Sequence, residues 1–131
     1  MTRIHRFGDL QLAILRVLWR RKEASAAEVQ ADLARERGLA LSTIATTLKR
    51  LSAQGVVRHR SEGRHYLFSA VVGESDVRES MVSDLVKRLF RGDSAALVSH
   101  LVEAGEVEPG ELDDLRATVK RRARRGSKND A

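Results

Sequence analysis

The chain has 131 residues, with 24 Lys and Arg against 18 Asp and Glu, a net charge of +6, and no Cys. That length holds one domain or two small lobes sharing a core, which excludes large enzyme barrels, and the lack of Cys excludes disulfides, thiolate metal sites and cysteine nucleophiles. With 42% apolar and 32% charged residues the composition is globular; no apolar run approaches the ~20 residues of a membrane span and Met1–Gly8 lacks a signal-peptide apolar core, so a soluble, cytoplasmic chain is expected.

Asp9, after Gly8, is the expected N-cap of a first helix. Leu10, Ile14, Val17 and Leu18 follow at helical spacing, and Leu15 and Trp19 widen that apolar face. Arg20, Arg21 and Lys22 place positive charge where the helix dipole favours it. Ser25-Ala26-Ala27-Glu28 has the spacing of a capping box. Val29 and Leu33 then turn inward, and Gly38 is the expected stop after about three turns.

A third helix is predicted from a cap at Ser42 to a stop at Gly55. Ile44, Leu48 and Leu51 form its buried stripe. Thr43, Thr46, Thr47 and Arg50 form an opposite stripe with three hydroxyls, a guanidinium and no acid, whereas a merely solvated face would mix Glu with Lys. Val56–Ser61 and Arg64–Ser69 read as two strands around Glu62-Gly63, a tight hairpin. Tyr66 and Phe68 share one face of the second strand, and Arg58 and Arg60 one face of the first. Three helices followed by a hairpin make the winged helix-turn-helix pattern.

After Val72-Gly73 the composition changes. Val77, Met81, Leu85 and Leu89 repeat at four-residue spacing, beside Val82, Val86 and Phe90, an apolar face too broad for one small lobe to cover. Gly92 ends this helix. Asp93 caps a short one through Leu97, Val98, Leu101 and Val102. Pro109 is placed as the first residue of a last helix, buried through Leu112, Leu115 and Val119. Lys120–Ala131 has no apolar period and is expected to be a frayed basic tail. The fold class is therefore mainly α with a small β-hairpin: a winged helix-turn-helix over 1–72, a helical dimerisation region over 73–119 and a disordered tail over 120–131.

Charge follows the same division. Residues 1–72 hold 13 basic and 6 acidic side chains, residues 73–119 hold 5 and 11, and residues 120–131 hold 6 and 1. A basic front with an acidic middle points to a polyanion at the front. The major groove admits one helix. Arg50 can donate twice to a guanine, while Thr43, Thr46 and Thr47 can meet phosphates, base edges or thymine methyls. Ser42 and Lys49 flank them. Arg58, Arg60 and Arg64 on the wing can hold the backbone or enter the minor groove, and Ser25 with the second helix's first N–H groups can take a phosphate. Simpler roles stand beside these: Thr43 as a helix-start residue, Arg50 lying over Leu51, and Arg58 and Arg60 as solvated strand positions.

Other chemistries find little support. His5, His59, His65 and His100 lack any metal-binding spacing, and a pair across the hairpin does not make a zinc site. There is no Gly-rich phosphate loop and no nucleophile elbow, and Asp113-Asp114 cannot converge on one bond. The polybasic tail, without an acyl site or apolar face, does not make a membrane anchor. No cofactor and no enzymatic activity are expected.

Gly8-Asp9-Leu10-Gln11, Val17-Leu18-Trp19, the run Ser42 to Leu51, Gly55-Val56-Val57-Arg58 and Glu62 to Phe68 together resemble the BlaI/MecI penicillinase-repressor family. The likeness extends into Leu89-Phe90-Arg91-Gly92-Asp93 and Leu112-Asp113-Asp114-Leu115-Arg116, spanning about residues 7 to 119. The resemblance implies a homodimeric repressor on palindromic operator DNA, reading through Thr43, Thr46, Thr47, Arg50 and Arg64. It implies a dimer formed by the C-terminal helices, here Val77, Met81, Leu85, Leu89, Leu97, Leu101, Leu112 and Leu115. Copper-responsive relatives carry a C-terminal cysteine cluster that this chain lacks. Relatives induced by a regulatory protease are cut at an Asn-Phe bond, where this chain has His100-Leu101. The competing expectation is a winged helix that contacts a partner protein instead of DNA.

Overall fold

A computed structural model of the chain describes residues 6–129, and their side chains through residue 125; Met1–His5, His5 among the histidines included, and the last two tail residues lie outside it. Six helices and one hairpin follow in the order α1 (Asp9–Arg21), α2 (Ala26–Leu33), α3 (Leu41–Ala53), β1 (Val57–Glu62), β2 (His65–Ala70), α4 (Glu74–Phe90), α5 (Ser94–Glu103) and α6 (Pro109–Asn129). The mainly helical class with one small hairpin is thus as expected. By contact density the chain forms two compact units, Met1–Asp84 and Leu85–Ala131.

In the first unit the three apolar stripes meet. Ile14, Leu15, Leu18, Val29, Ile44, Leu48 and Leu51 are all buried, with Val56, just before the hairpin, and Val57 and Phe68 within it in the same core. Burying a side chain of this size contributes about 1.5–3 kcal/mol, and this core fixes which face of α3 remains outside.

Local chemistry sets the helix ends, in part differently from expectation. Gly8, not Asp9, is the N-cap of α1; Asp9 lies in the first turn, and the Gln11 side chain accepts a hydrogen bond from the Gly8 N–H at 3.1 Å. Ser25 and Glu28 form the expected capping box at 3.2 and 3.0 Å. α2 ends at Leu33, well before Gly38, because the chain tightens into turns bonded back to Leu33. Ala40, not Ser42, caps α3, with no side-chain bond; Ser42 is already helical. The hairpin sits one residue later than predicted. Glu62 pairs with His65, so Gly63-Arg64 is the tip, and Gly63 takes the left-handed φ of +61° that the tight turn requires. Arg64 lies in the turn rather than in the strand.

Two tertiary links have no sequence signature. Ala24 forms an isolated bridge with Phe68, with bonds of 3.0 and 2.8 Å, which adds a short third edge to the hairpin. The Trp19 indole N–H donates to the Val72 carbonyl at 2.9 Å, holding the end of α1 to the segment after the wing.

Arg20 and Arg21 do more than complement a dipole. Arg21 grips Asp32 with two hydrogen bonds, of 2.7 and 2.8 Å, and Arg20 adds a third at 2.7 Å, clasping α1 to α2. The Arg21 and Arg20 hydrogen bonds hold the Asp32 carboxyl well below the usual carboxylate range. Its folded pKa is below its unfolded one, so the stabilisation is complete above the unfolded value of about 4 and is lost as pH falls further. Asp32→Asn is therefore expected to lower Tm at neutral pH and to flatten its decline between about pH 5 and 2. Superimposable acid-melting profiles for the two proteins would show that the clasp contributes nothing to folding.

The segment after Ala70 departs more from expectation. α4 runs across the boundary between the units, which falls between Asp84 and Leu85, because the early part of α4 joins the first unit. Val77 is 2% exposed, and Arg6 pairs with Asp84 at 3.4 Å. α4 ends at Phe90, followed by Arg91 and Gly92 with positive φ. Asp93 caps α5 by accepting from the Ala96 N–H at 3.1 Å, and Pro109 opens α6, both as expected. α6 then continues through Asn129, so the predicted frayed tail is helical as far as it is described. Lys, Arg and Ala are strong helix formers, and extending an existing helix avoids the cost of a new nucleus.

Candidate nucleic-acid interface

Core packing orients α3. Successive residues turn by about 100° around a helix, so burial of Ile44, Leu48 and Leu51 brings Ser42, Thr46, Lys49 and Ala53 to the opposite side. Thr43 and Arg50 lie on one flank and Leu41, Ala45 and Ser52 on the other. Ser42, Thr43, Thr46, Lys49 and Arg50 are exposed. Among the described residues Lys49, Arg50 and Arg64 have no ion-pair partner. The predicted stripe therefore faces outward with its charges unpaired. Its centre is shifted toward Ser42 and Lys49, and Thr47 is half-buried, its hydroxyl donating to the Thr43 carbonyl at 2.8 Å.

Two of the other predicted contacts are occupied within the chain. The Ser25 hydroxyl accepts from the Glu28 N–H. The Glu28 carboxylate closes the same helix start, which places a negative charge where a phosphate would bind. The Arg60 guanidinium is committed to acids: it donates twice to Glu23, at 2.7 Å each, and once to Glu62. These bonds push its pKa up. The pairing with Glu23 ties β1 to the segment between α1 and α2, so Arg60 is a tie of the fold and its charge is offset. Sequence reading missed this because Glu23 is 37 residues away. Arg58, by contrast, donates to the Ser69 hydroxyl at 3.4 Å and has no acidic partner among the described residues. Arg64 sits exposed at the wing tip.

Of the residues proposed for a dimer, Val77 is buried by its own chain, which removes it from any interface. Met81, Leu97, Leu101 and Leu112 are half-buried, while Leu85, Leu89 and Leu115 are exposed, Leu89 at 71%. α5 has no fully buried residue. Among the described residues no three metal-ligating side chains come together, and no helix is long and apolar enough to cross a membrane.

With this geometry in place, the likeness to known proteins is informative. The family described as penicillinase repressor matches residues 7–121. The penicillinase repressor of Bacillus licheniformis is 26% identical over 115 residues, covering 88% of this chain and 90% of that protein. The transcriptional regulator BlaI of Mycobacterium tuberculosis is 31% identical over 121 residues, covering 91% and 86%. Among solved structures, the monomeric form of Bacillus licheniformis BlaI in complex with the blaP half-operator superposes with a TM-score of 0.50 at 30% identity, over 58% of this chain and 93% of that one.

Proposed function

The chain belongs to the penicillinase-repressor family, and we propose that it is a homodimeric transcriptional repressor that binds a palindromic DNA operator. α3 lies in the major groove, reading bases through Arg50, Thr43 and Thr46, with Ser42 and Lys49 at its rim. Arg58 and Arg64 hold the flanking backbone from the wing, and Thr47 supports the helix from its inner edge. The observation that carries this reading is the outward, acid-free face of α3, whose cations have no partner among the described residues. Unpaired Lys and Arg on one face are the electrostatic footprint of a phosphate surface. The relative bound to a half-operator supports the same placement.

The working parts are a reading unit over residues 1–72 and a dimer formed by α4, α5 and α6. A two-fold dimer requires half-sites an integral number of helical turns apart, and a bound dimer represses by standing where the polymerase must bind. Cleavage by a regulatory protease near His100-Leu101 would cut α5 and detach α6, leaving α4 on the reading unit with an incomplete dimer region; His100 is exposed there.

Arg50→Ala tests the base contact. It is expected to cost about 1–3 kcal/mol on the operator found by footprinting and to relax preference at one base pair. Equal weakening on operator and random duplex would show that Arg50 does not read a base, and loss of nothing on either would remove α3 from the groove. A gel shift against competitor DNA separates this function from that of a protein-binding winged helix.

A further inference from the structure

A groove of about 620 Å³ opens between α3, the start of α2 and the wing, all within the first unit. Its size falls in the range of sites for drug-sized ligands, about 300–1,000 Å³. Leu41 and Ala45 line one wall, and Tyr66 and Phe68 line the other. Leu41 is 45% and Tyr66 54% exposed, so large apolar surfaces converge there and remain uncovered. Lys49 and Arg64 also line the groove, with small residues of α2 and α3 and His59 and His65, and the lining contains no acidic residue.

The aromatic wall is ordered. The His59 ring meets Tyr66 edge-on with centroids 5.0 Å apart and lies 5.8 Å from Phe68. Its Nδ1 is engaged by the Ser52 hydroxyl at 3.3 Å. Two cations without an ion-pair partner in the lining of an apolar, aromatic cleft are complementary to a ligand with flat rings and a negative charge. We infer that the groove binds a small aromatic carboxylate, its rings between Ala45 and Tyr66 and its carboxylate at Lys49 and Arg64. The consequence for DNA rests on the function proposed above. A carboxylate there neutralises Lys49 and Arg64, two cations of the proposed DNA-facing surface, and inserts between reading helix and wing, so ligand and DNA bind antagonistically.

The probe is 2-naphthoate, titrated into the full chain and followed by amide chemical shifts without DNA. Saturable shifts at Ala45, Ser52 and Tyr66 are expected, with the uncharged 2-naphthamide at least about tenfold weaker, as loss of a charge-assisted contact requires. Ala45→Phe and, independently, Ala53→Phe fill the groove and abolish these shifts. Shifts that never saturate, or that fall on Leu85–Val119, overturn the site; equal binding of the amide overturns the anion. On footprinted DNA, 2-naphthoate should weaken retention of the unmodified chain and leave the Ala45→Phe chain unaffected, and retention unchanged in both overturns the coupling. The two readings fail separately: a chain that binds 2-naphthoate but no DNA refutes the repressor, and one that binds DNA but no 2-naphthoate refutes the groove.

Discussion

A chain carrying Leu85→Asp and Leu89→Asp is expected to sediment as a monomer and to lose about 100-fold or more in affinity for a complete palindromic operator. Val82, Leu85 and Leu89 fall at i, i+3 and i+7 along α4 and are 48%, 40% and 71% exposed, an apolar stripe that its own chain leaves in water. Covering one such side chain contributes about 1.5–3 kcal/mol, so a symmetric pair of stripes gains substantially by meeting. Linking two reading heads makes the second binding event intramolecular, an advantage of about 10²–10⁴; separating them forfeits it. Because both leucines are exposed in the single chain, the substitutions spare its core. The thermal transition of the first unit should therefore persist, and affinity for a single half-site should change little. A double variant that still sediments as a dimer would place the interface elsewhere.

The second large effect concerns the wing. Phe68→Ala is expected to destabilise the first unit by about 3–5 kcal/mol, the usual cost of truncating a buried Phe. Phe68 is 7% exposed, and its backbone exchanges both bonds of the bridge to Ala24. Its ring enters the core beside Val57 of β1 and is the largest side chain the hairpin buries there, so the midpoint of urea unfolding should fall steeply. Tyr66→Ala, two residues earlier on the same face but half-exposed, should cost far less. Equal losses at the two positions would mean that the hairpin is held by its ladder alone and not by this ring.

The comparison of these two aromatics shows what could be read from the chain. Alternation places Tyr66 and Phe68 on one side of β2, and the register with His59 and Ser61 agrees; both rings border the groove, yet Phe68 is buried and Tyr66 is about half exposed. Period alone cannot distinguish them, because which end of a strand meets the core depends on where the helices lie. Helix ends show a similar limit. The Ser25–Glu28 box and the Asp93 cap rest on contacts three residues apart and were legible. Ser42 failed as a cap because the helix starts two residues earlier, at Ala40, whose carbonyl accepts from the Thr43 and Ile44 N–H groups. The charged residues diverged most. Arg50 and Arg60 look equally free in the sequence, but the fold leaves the first unpaired and surrounds the second with Glu23 and Glu62.

Local spacing thus determined the six helices and the hairpin, the buried stripe of α3 and the acid-free stripe beside it, because hydrophobic periodicity and capping act over a single turn. Tertiary structure decided which cations stay unpaired, that Val77 is covered by its own chain while Leu89 is not, that the basic C-terminal segment extends α6, and that a groove opens between α3 and the wing. These depend on residues brought together from far apart in the chain, and on the energy of burial that holds them there, which no short window of sequence contains.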